Sequence, residues 1–221
     1  MGGKLIVFEG VEGAGKTTQI ERLRLWLLSR AQGGNIPRIV VTREPGGTEL
    51  GKGLRRLLLD SGEENTADNS GGINPRTELL LYAADRAQHV ENLIKPELAK
   101  GAIILCDRFT DSTIAYQGYG RGLNLSLINQ LNQIATGGLQ SDLTLWLDLD
   151  VKLGLARVKS RGISDRMEQA DLAFHQRVQQ GFTDLAATNR DRIFRVDANC
   201  DESEVAQEIQ DILTKKLFVN C

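Results

Sequence analysis

Short apolar, β-branched runs alternate along the chain with longer stretches in which leucine and isoleucine recur at helical spacing. Lys4-Leu5-Ile6-Val7-Phe8-Glu9 ends at a glycine cluster, and residues 17–31 follow with Ile20, Leu23 and Leu27 on one stripe, a pattern that predicts strand, loop and helix. Further strands are predicted at 36–42, 102–106, 143–149 and 192–196. Helices are predicted at 50–59, 76–100, 125–135, 151–160, 169–189 and 202–217. Strands separated by helices predict an α/β fold with a five-stranded parallel sheet covered on both faces. Residues 60–74 are polar and glycine-rich, with Ile73 their one large apolar side chain, which predicts a mobile surface loop. Neither repeat nor linker divides the chain, so residues 1–221 are expected to form a single domain.

Composition works mainly by exclusion. With 221 residues, 41% hydrophobic, 25% charged and a net charge of -2, the chain has the balance of a globular protein with one core. There is no broad basic field for nucleic acid and no apolar run near the ~20 residues of a membrane span. The first residues lead straight into a strand without a secretory signal, which places the protein in the cytoplasm. Cys106, Cys200 and Cys221 are scattered and odd in number, as expected of reduced thiols. His89 and His175 lie in polar helical patterns without a second ligand at metal-binding spacing, so surface or packing roles are expected for both.

Gly10-Val11-Glu12-Gly13-Ala14-Gly15-Lys16-Thr17 fits the phosphate-loop pattern, with a predicted strand before it and a helix after it. The glycines let consecutive amides curl inward, the helix N-terminus adds partial positive charge, Lys16 reaches the outer phosphates and Thr17 offers a hydroxyl to Mg²⁺. A phosphate loop identifies a nucleotide donor and leaves the acceptor open. The guanine-reading Asn-Lys-x-Asp is missing, and the third strand ends in Asp107-Arg108 where a GTPase would carry Asp-x-x-Gly. Ligands of open α/β sheets collect at such strand ends, and the planar fork of Arg108 suits a phosphate. Arg43-Glu44-Pro45-Gly46-Gly47-Thr48 follows the second strand in a tight turn that could aim Arg43 at a second phosphate. Tyr82 and Arg86 stand four apart on one helix face; they could stack on and bond a base, or Tyr82 could simply pack in the core. Arg157, Lys159, Arg161 and Arg166 crowd a basic segment at about 157–168 that could close over a nucleotide as a mobile lid.

Taken in order, these segments, with Ser112-Thr113-Ile114-Ala115-Tyr116-Gln117, resemble the thymidylate kinase family over nearly the whole chain. The resemblance implies a P-loop NTPase fold and transfer of the γ-phosphoryl of ATP to dTMP, with Mg²⁺, in dTTP biosynthesis. It implies that the loop from Gly10 to Thr18 holds ATP and that Tyr82 stacks on thymine. Arg86 and Thr113 would bond the base edge, with Ser112 and Gln117 in the same substrate site. Tyr116 would stand where a ribose 2′-hydroxyl would clash, Glu12 would contact the 3′-hydroxyl, and Arg43 and Arg108 would hold the acceptor phosphate. The family also suggests a cis Glu44–Pro45 peptide, a metal- or substrate-organising role for Glu168, and a homodimer. The variable loop positions Val11, Glu12 and Ala14 carry no cation, which resembles the subgroup whose lid supplies it and makes Arg161 the leading lid cation.

The acceptor of such a reaction is a phosphate monoester whose second pKa is about 6, already ionised at neutral pH, so no general base is required. The obstacle is repulsion: two unit charges ~4 Å apart at an effective dielectric of ~20 repel by roughly 4 kcal/mol. Lys16, Arg108 and Arg161, together with Mg²⁺ on Thr17, are the expected catalytic cations. The competing readings are another nucleoside monophosphate kinase, a deoxynucleoside kinase using Glu9 or Asp107 as base, and an ATP-driven switch.

Overall fold

The computed structural model describes residues 2–30, 38–59, 72–160, 162 and 165–218. Its strands are β1 (Lys4–Glu9), β2 (Ile39–Arg43), β3 (Ile103–Asp107), β4 (Leu143–Asp148) and β5 (Ile193–Asp197). They form one parallel sheet in the order β2-β3-β1-β4-β5, the five-stranded parallel sheet expected from the sequence. The helices are α1 (Lys16–Arg30), α2 (Glu49–Leu59), α3 (Pro75–His89), α4 (Lys95–Ala99), α5 (Thr110–Thr113), α6 (Leu125–Thr136), α7 (Val151–Ser160), α8 (Leu172–Thr188) and α9 (Glu202–Leu213).

The unbroken apolar run in β1 reflects burial on both faces. Leu5 and Val7 join Ile104 and Cys106 of β3 against Val90 and Ile94, while Ile6 and Phe8 join a larger core with Leu23 of α1, Val178 of α8 and Ile209 of α9. Each such side chain withdrawn from water contributes about 1.5–3 kcal/mol. β1 lies between β3 and β4, so the loops after β1 and β3 emerge side by side at the carboxyl ends of the strands, where open α/β sheets bind ligands.

The helix predicted at 76–100 is present but not uniform. Between α3 and α4 the stretch Val90–Ile94 widens to π geometry, and the Lys95 amide bonds the Val90 carbonyl five residues back. Pro96 is the physical reason: it lacks an amide hydrogen and its ring clashes with a carbonyl in regular α winding. The segment from Thr110 to Gly120 was not expected to be helical, yet α5 and the π-wound Ile114–Gly120 fill it. Of residues 60–74, only 72–74 fall among those described; the rest of the loop expectation lies outside them.

Candidate active site

The chain turns sharply between β1 and α1, and Gly10, Gly13 and Gly15 all take positive φ there. At Gly13 this freedom is coupled to close approach: an added Cβ would lie 2.4 Å from the Gly154 carbonyl oxygen, and one on Gly154 would lie 2.4 Å from the Glu12 carbonyl oxygen. The loop is thus seated against α7 through paired glycines. Val11, Ala14 and Lys16 are buried, whereas Thr17 and Thr18 are exposed on the first turn of α1. The Lys16 ammonium donates to the Gly10 and Val11 carbonyls at 3.1 and 3.0 Å. Burial and the neighbouring Arg108 pull its pKa below the ordinary lysine value.

Arg108, just past β3, has φ 68° and is the one non-glycine residue with positive φ among those described. Such left-handed geometry costs about 1–2 kcal/mol for a residue with a Cβ. Its guanidinium donates to the Glu12 carboxylate, to the Tyr116 hydroxyl at 2.9 Å and to Ser112 Oγ at 3.1 Å, and it lies 4.7 Å from the centre of the Tyr116 ring. Tyr116 donates in turn to Glu12 at 3.1 Å. Although burial works against its charge, Arg108 and Lys16 hold the Glu12 carboxyl at about 2.

Beneath this cluster, the buried Glu9 accepts the Phe109 and Ser112 amides at 2.9 and 3.1 Å and the Ser112 hydroxyl at 2.5 Å. A strand-end carboxylate therefore caps α5 and holds the turn that carries Arg108. Burial first, and then the nearby Asp111, push the Glu9 carboxyl up to about 7.

A second buried network forms the far wall. The Arg86 guanidinium donates through Nε to Glu44 at 2.8 Å, through Nη1 to Thr113 Oγ1 at 2.8 Å and Asn132 at 2.9 Å, and through Nη2 to the Phe109 carbonyl at 2.9 Å. Four of its five N–H groups are thereby used. The other Glu44 oxygen accepts from His89 Nδ1 at 2.8 Å, and His89 Nε2 lies 2.7 Å from Thr42 Oγ1. The Glu44–Pro45 peptide is cis. Asp85 accepts the Gly46 amide at 3.0 Å, and burial, then Glu44, push its carboxyl up to about 6. His89 and His175 are both buried, so the surface role allowed for each gives way to packing in the interior.

Between these walls lies a cleft, open to solvent, whose empty space is about 550 Å³. Glu12, Tyr82, Arg86, Arg108, Ser112, Thr113, Tyr116 and Gln117 all line it, so the structure gathers these eight expected substrate-site residues from three separate stretches of the chain. Arg43 is not on the wall: its side chain is 49% exposed and reaches Asp107 Oδ2 at 3.9 Å across the β2–β3 pairing. Arg55 of α2 lines the cleft instead, donating to the Pro45 carbonyl at 3.0 Å, and burial and Arg43 lower its pKa. Arg55 and Asp165 were given no role from the sequence, and Glu44 was read only as part of the turn that aims Arg43; the spacing of Arg55 on an amphipathic helix gives no local sign of a site.

The lid segment divides. Arg161 lies outside the described residues. Arg157 of α7 reaches the Gly13 carbonyl at 3.3 Å, beside the phosphate loop. Arg166 is turned toward the protein body, donating to the Leu58 carbonyl at 2.9 Å and to Glu78 at 2.5 Å. Glu168 accepts the Asp165 amide at 3.0 Å, while Asp165 accepts the Met167 and Glu168 amides at 2.9 Å each. Glu168 does not line the cleft. Among the described residues no group of three or more His, Cys, Asp or Glu side chains gathers as a metal site. A metal shared with a bound nucleotide asks for less, and the buried Asp107 Oδ1, without a hydrogen-bond partner at the end of β3, is a carboxylate oxygen that suits that need.

Comparison with known proteins supplies the family. A family model described as thymidylate kinase matches residues 8–209. The chain is 60% identical to a thymidylate kinase of Trichodesmium erythraeum, over 97% of this chain and 96% of the relative. It is 61% identical to one of Nostoc punctiforme, over 96% of each. Its fold is similar to the crystal structure of a thymidylate kinase from Ehrlichia chaffeensis, with TM-score 0.72 and 35% identity over 96% of this chain and 99% of the other. A phosphate loop facing an aromatic and arginine-lined cleft, together with kinship over nearly the full length, establishes that the chain belongs to the thymidylate kinase family.

Proposed function

We propose that the cleft takes dTMP, with thymine against Tyr82, Arg86, Thr113 and Gln117 and the acceptor phosphate at Arg108. The chain is an ATP-dependent nucleoside monophosphate kinase that phosphorylates dTMP to dTDP. The observation that carries the site reading is the fixed guanidinium of Arg108, held by Glu12, Ser112 and Tyr116 beside the phosphate loop. Donor and acceptor phosphates approach from opposite sides of it. The acceptor oxygen is already anionic, so these residues position the reactants and offset charge; none needs to remove a proton. Lys16 leaves its carbonyl partners for the outer ATP phosphates, Arg157, already beside the phosphate loop, adds a cation, and Arg161 is the further cation we assign to the transferred group.

The same reading assigns Thr17 and Asp107 as the residues that would hold Mg²⁺, which would supply positive charge to offset that of the ATP phosphates. It assigns Tyr116 and Glu12 to the sugar and excludes a 2′-hydroxyl from their side. We place the protein in the cytoplasm; among the described residues no helix is long and apolar enough to cross a membrane. A homodimer is supported by exposed leucine and isoleucine on α2, α3 and α6, which pack together: Leu57, Leu80, Leu127 and Ile134 face outward while Leu79 and Ile128 enter the core.

Comparing kcat/KM for dTMP, dUMP, dGMP and thymidine with ATP tests the reading. dTMP should lead, dUMP should trail by roughly 1–3 kcal/mol for the missing methyl, and the purine and the nucleoside should be near background. Preference for dGMP, or ATP hydrolysis indifferent to dTMP, would overturn it.

A further inference from the structure

Glu78 of α3 is fully buried, yet its carboxylate is shared by side chains from two other segments. Gln117 donates through Nε2 at 2.9 Å, Arg121 through Nε and Nη2 at 3.3 Å each, and Arg166 of the lid segment through Nη2 at 2.5 Å. Glu78 and Tyr82 stand four apart on α3, and Gln117 and Arg121, which also stand four apart, meet at Glu78. Gln117 and Tyr82 line the cleft; Glu78 does not.

We infer that Glu78 is the positioning residue that sets pyrimidine selectivity by fixing the orientation of the Gln117 amide. A carboxylate accepts only, so the amide nitrogen must turn to it and the carbonyl oxygen is the end left for a base. An oxygen there accepts from the N3–H of thymine or uracil. It meets only a lone pair on N3 of cytosine, and a site built around a hydrogen bond rejects a partner that cannot make it. Were Gln117 free to flip, its amide nitrogen would suit cytosine equally well. The two arginines keep Glu78 ionised in the interior, since burial alone would raise its carboxyl whereas Gln117, Arg166 and Arg121 together hold it below the ordinary value. Because Arg166 also grips the Leu58 carbonyl, the same carboxylate ties α2, α3 and the lid segment around the base.

This inference rests on the acceptor cleft assigned above. The test is kcat/KM for dTMP and dCMP in the wild type, Glu78→Gln, Gln117→Met and the double variant, with thermal melts for each. A glutamine at 78 can turn either end toward Gln117, so its amide is released. Glu78→Gln should lower the dTMP/dCMP ratio at least tenfold, mainly through KM of the acceptor, with KM for ATP unchanged. Gln117→Met should lower it as far, and the double variant no further, since Glu78 acts through Gln117. If Glu78→Gln does not fold, Glu78→Asp keeps the charge for the arginines but withdraws one methylene from Gln117, and it carries the same expectation. An unchanged ratio in a folded Glu78 variant, while Gln117→Met collapses it, would overturn the inference alone. Gln117→Met with normal acceptor KM and ratio would overturn both the inference and the cleft assignment.

Discussion

The carboxylate of Glu12 and the guanidinium of Arg108 meet at the mouth of the cleft, one from the loop after β1 and the other from the turn after β3. Parallel pairing of those strands brings Phe8 level with Asp107, so residues 96 apart in sequence are paired by sheet register. The pair fixes a planar guanidinium on the cleft wall. Arg108→Ala should therefore lower kcat/KM for dTMP by about 10³, and Arg108→Lys should restore little, because an ammonium cannot bridge Glu12, Ser112 and phosphate at once. Steady-state kinetics check this; near-wild-type turnover in the lysine variant would show that charge alone suffices.

Glu9 gives a pH signature. Its folded carboxyl titrates near 7 against an ordinary 4.5, so the folded state holds the proton more tightly than the unfolded chain. As pH rises from 4.5 to 7 the unfolded state releases its proton first, and stability falls across that window by up to ~3 kcal/mol from this group. Glu9→Gln cannot titrate, so its Tm relative to wild type should rise from pH 4.5 to 7. Glu12, held at about 2, contributes stability that is lost only below 4.5, outside the window. Calorimetry at three or four pH values decides it; parallel curves for the two proteins would rule the effect out.

Gly154→Ala should be costly although alanine favours helices. The new methyl would sit 2.4 Å from the Glu12 carbonyl oxygen, a backbone atom that cannot swing aside without moving the phosphate loop. A loss of about 1–3 kcal/mol and a KM for ATP raised at least fivefold are expected, with KM for dTMP less affected. Thermal melts and donor titrations measure the two effects separately.

Ile134 and Leu80 are 77% and 50% exposed on neighbouring helices. If a second copy covers them, Ile134→Lys with Leu80→Glu should convert dimer to monomer in sedimentation velocity. A wild-type monomer at micromolar concentration would dismiss the assignment outright.

What could be read from the chain was whatever had a local cause. The β1 run, the glycine turn and Lys16-Thr17 lie within one strand–loop–helix unit, and their pattern is complete within fourteen residues from Lys4 to Thr17. The helix after Arg108 was illegible because its cap is Glu9, a hundred positions away, while Thr110-Asp111-Ser112-Thr113 reads locally as a turn. Arg166 looked like a spare lid cation until folding brought it to Glu78. The buried bonds of His89 to Glu44 and Thr42 were invisible because neither partner is near it in sequence, so the chain alone left a surface and a packing role equally open. Long-range polar pairing leaves no periodic trace in the chain.

Arg86 enters any encounter already committed, with four of its N–H groups satisfied by Glu44, Thr113, Asn132 and Phe109. The ordering cost of that side chain is met during folding, so an arriving nucleotide need not freeze it again. The corollary is intolerance: a compound that crowds this wall must tear a buried ion pair apart before it can be accommodated. Inhibitors of such a site gain more from copying the shape of the native base than from reaching past it.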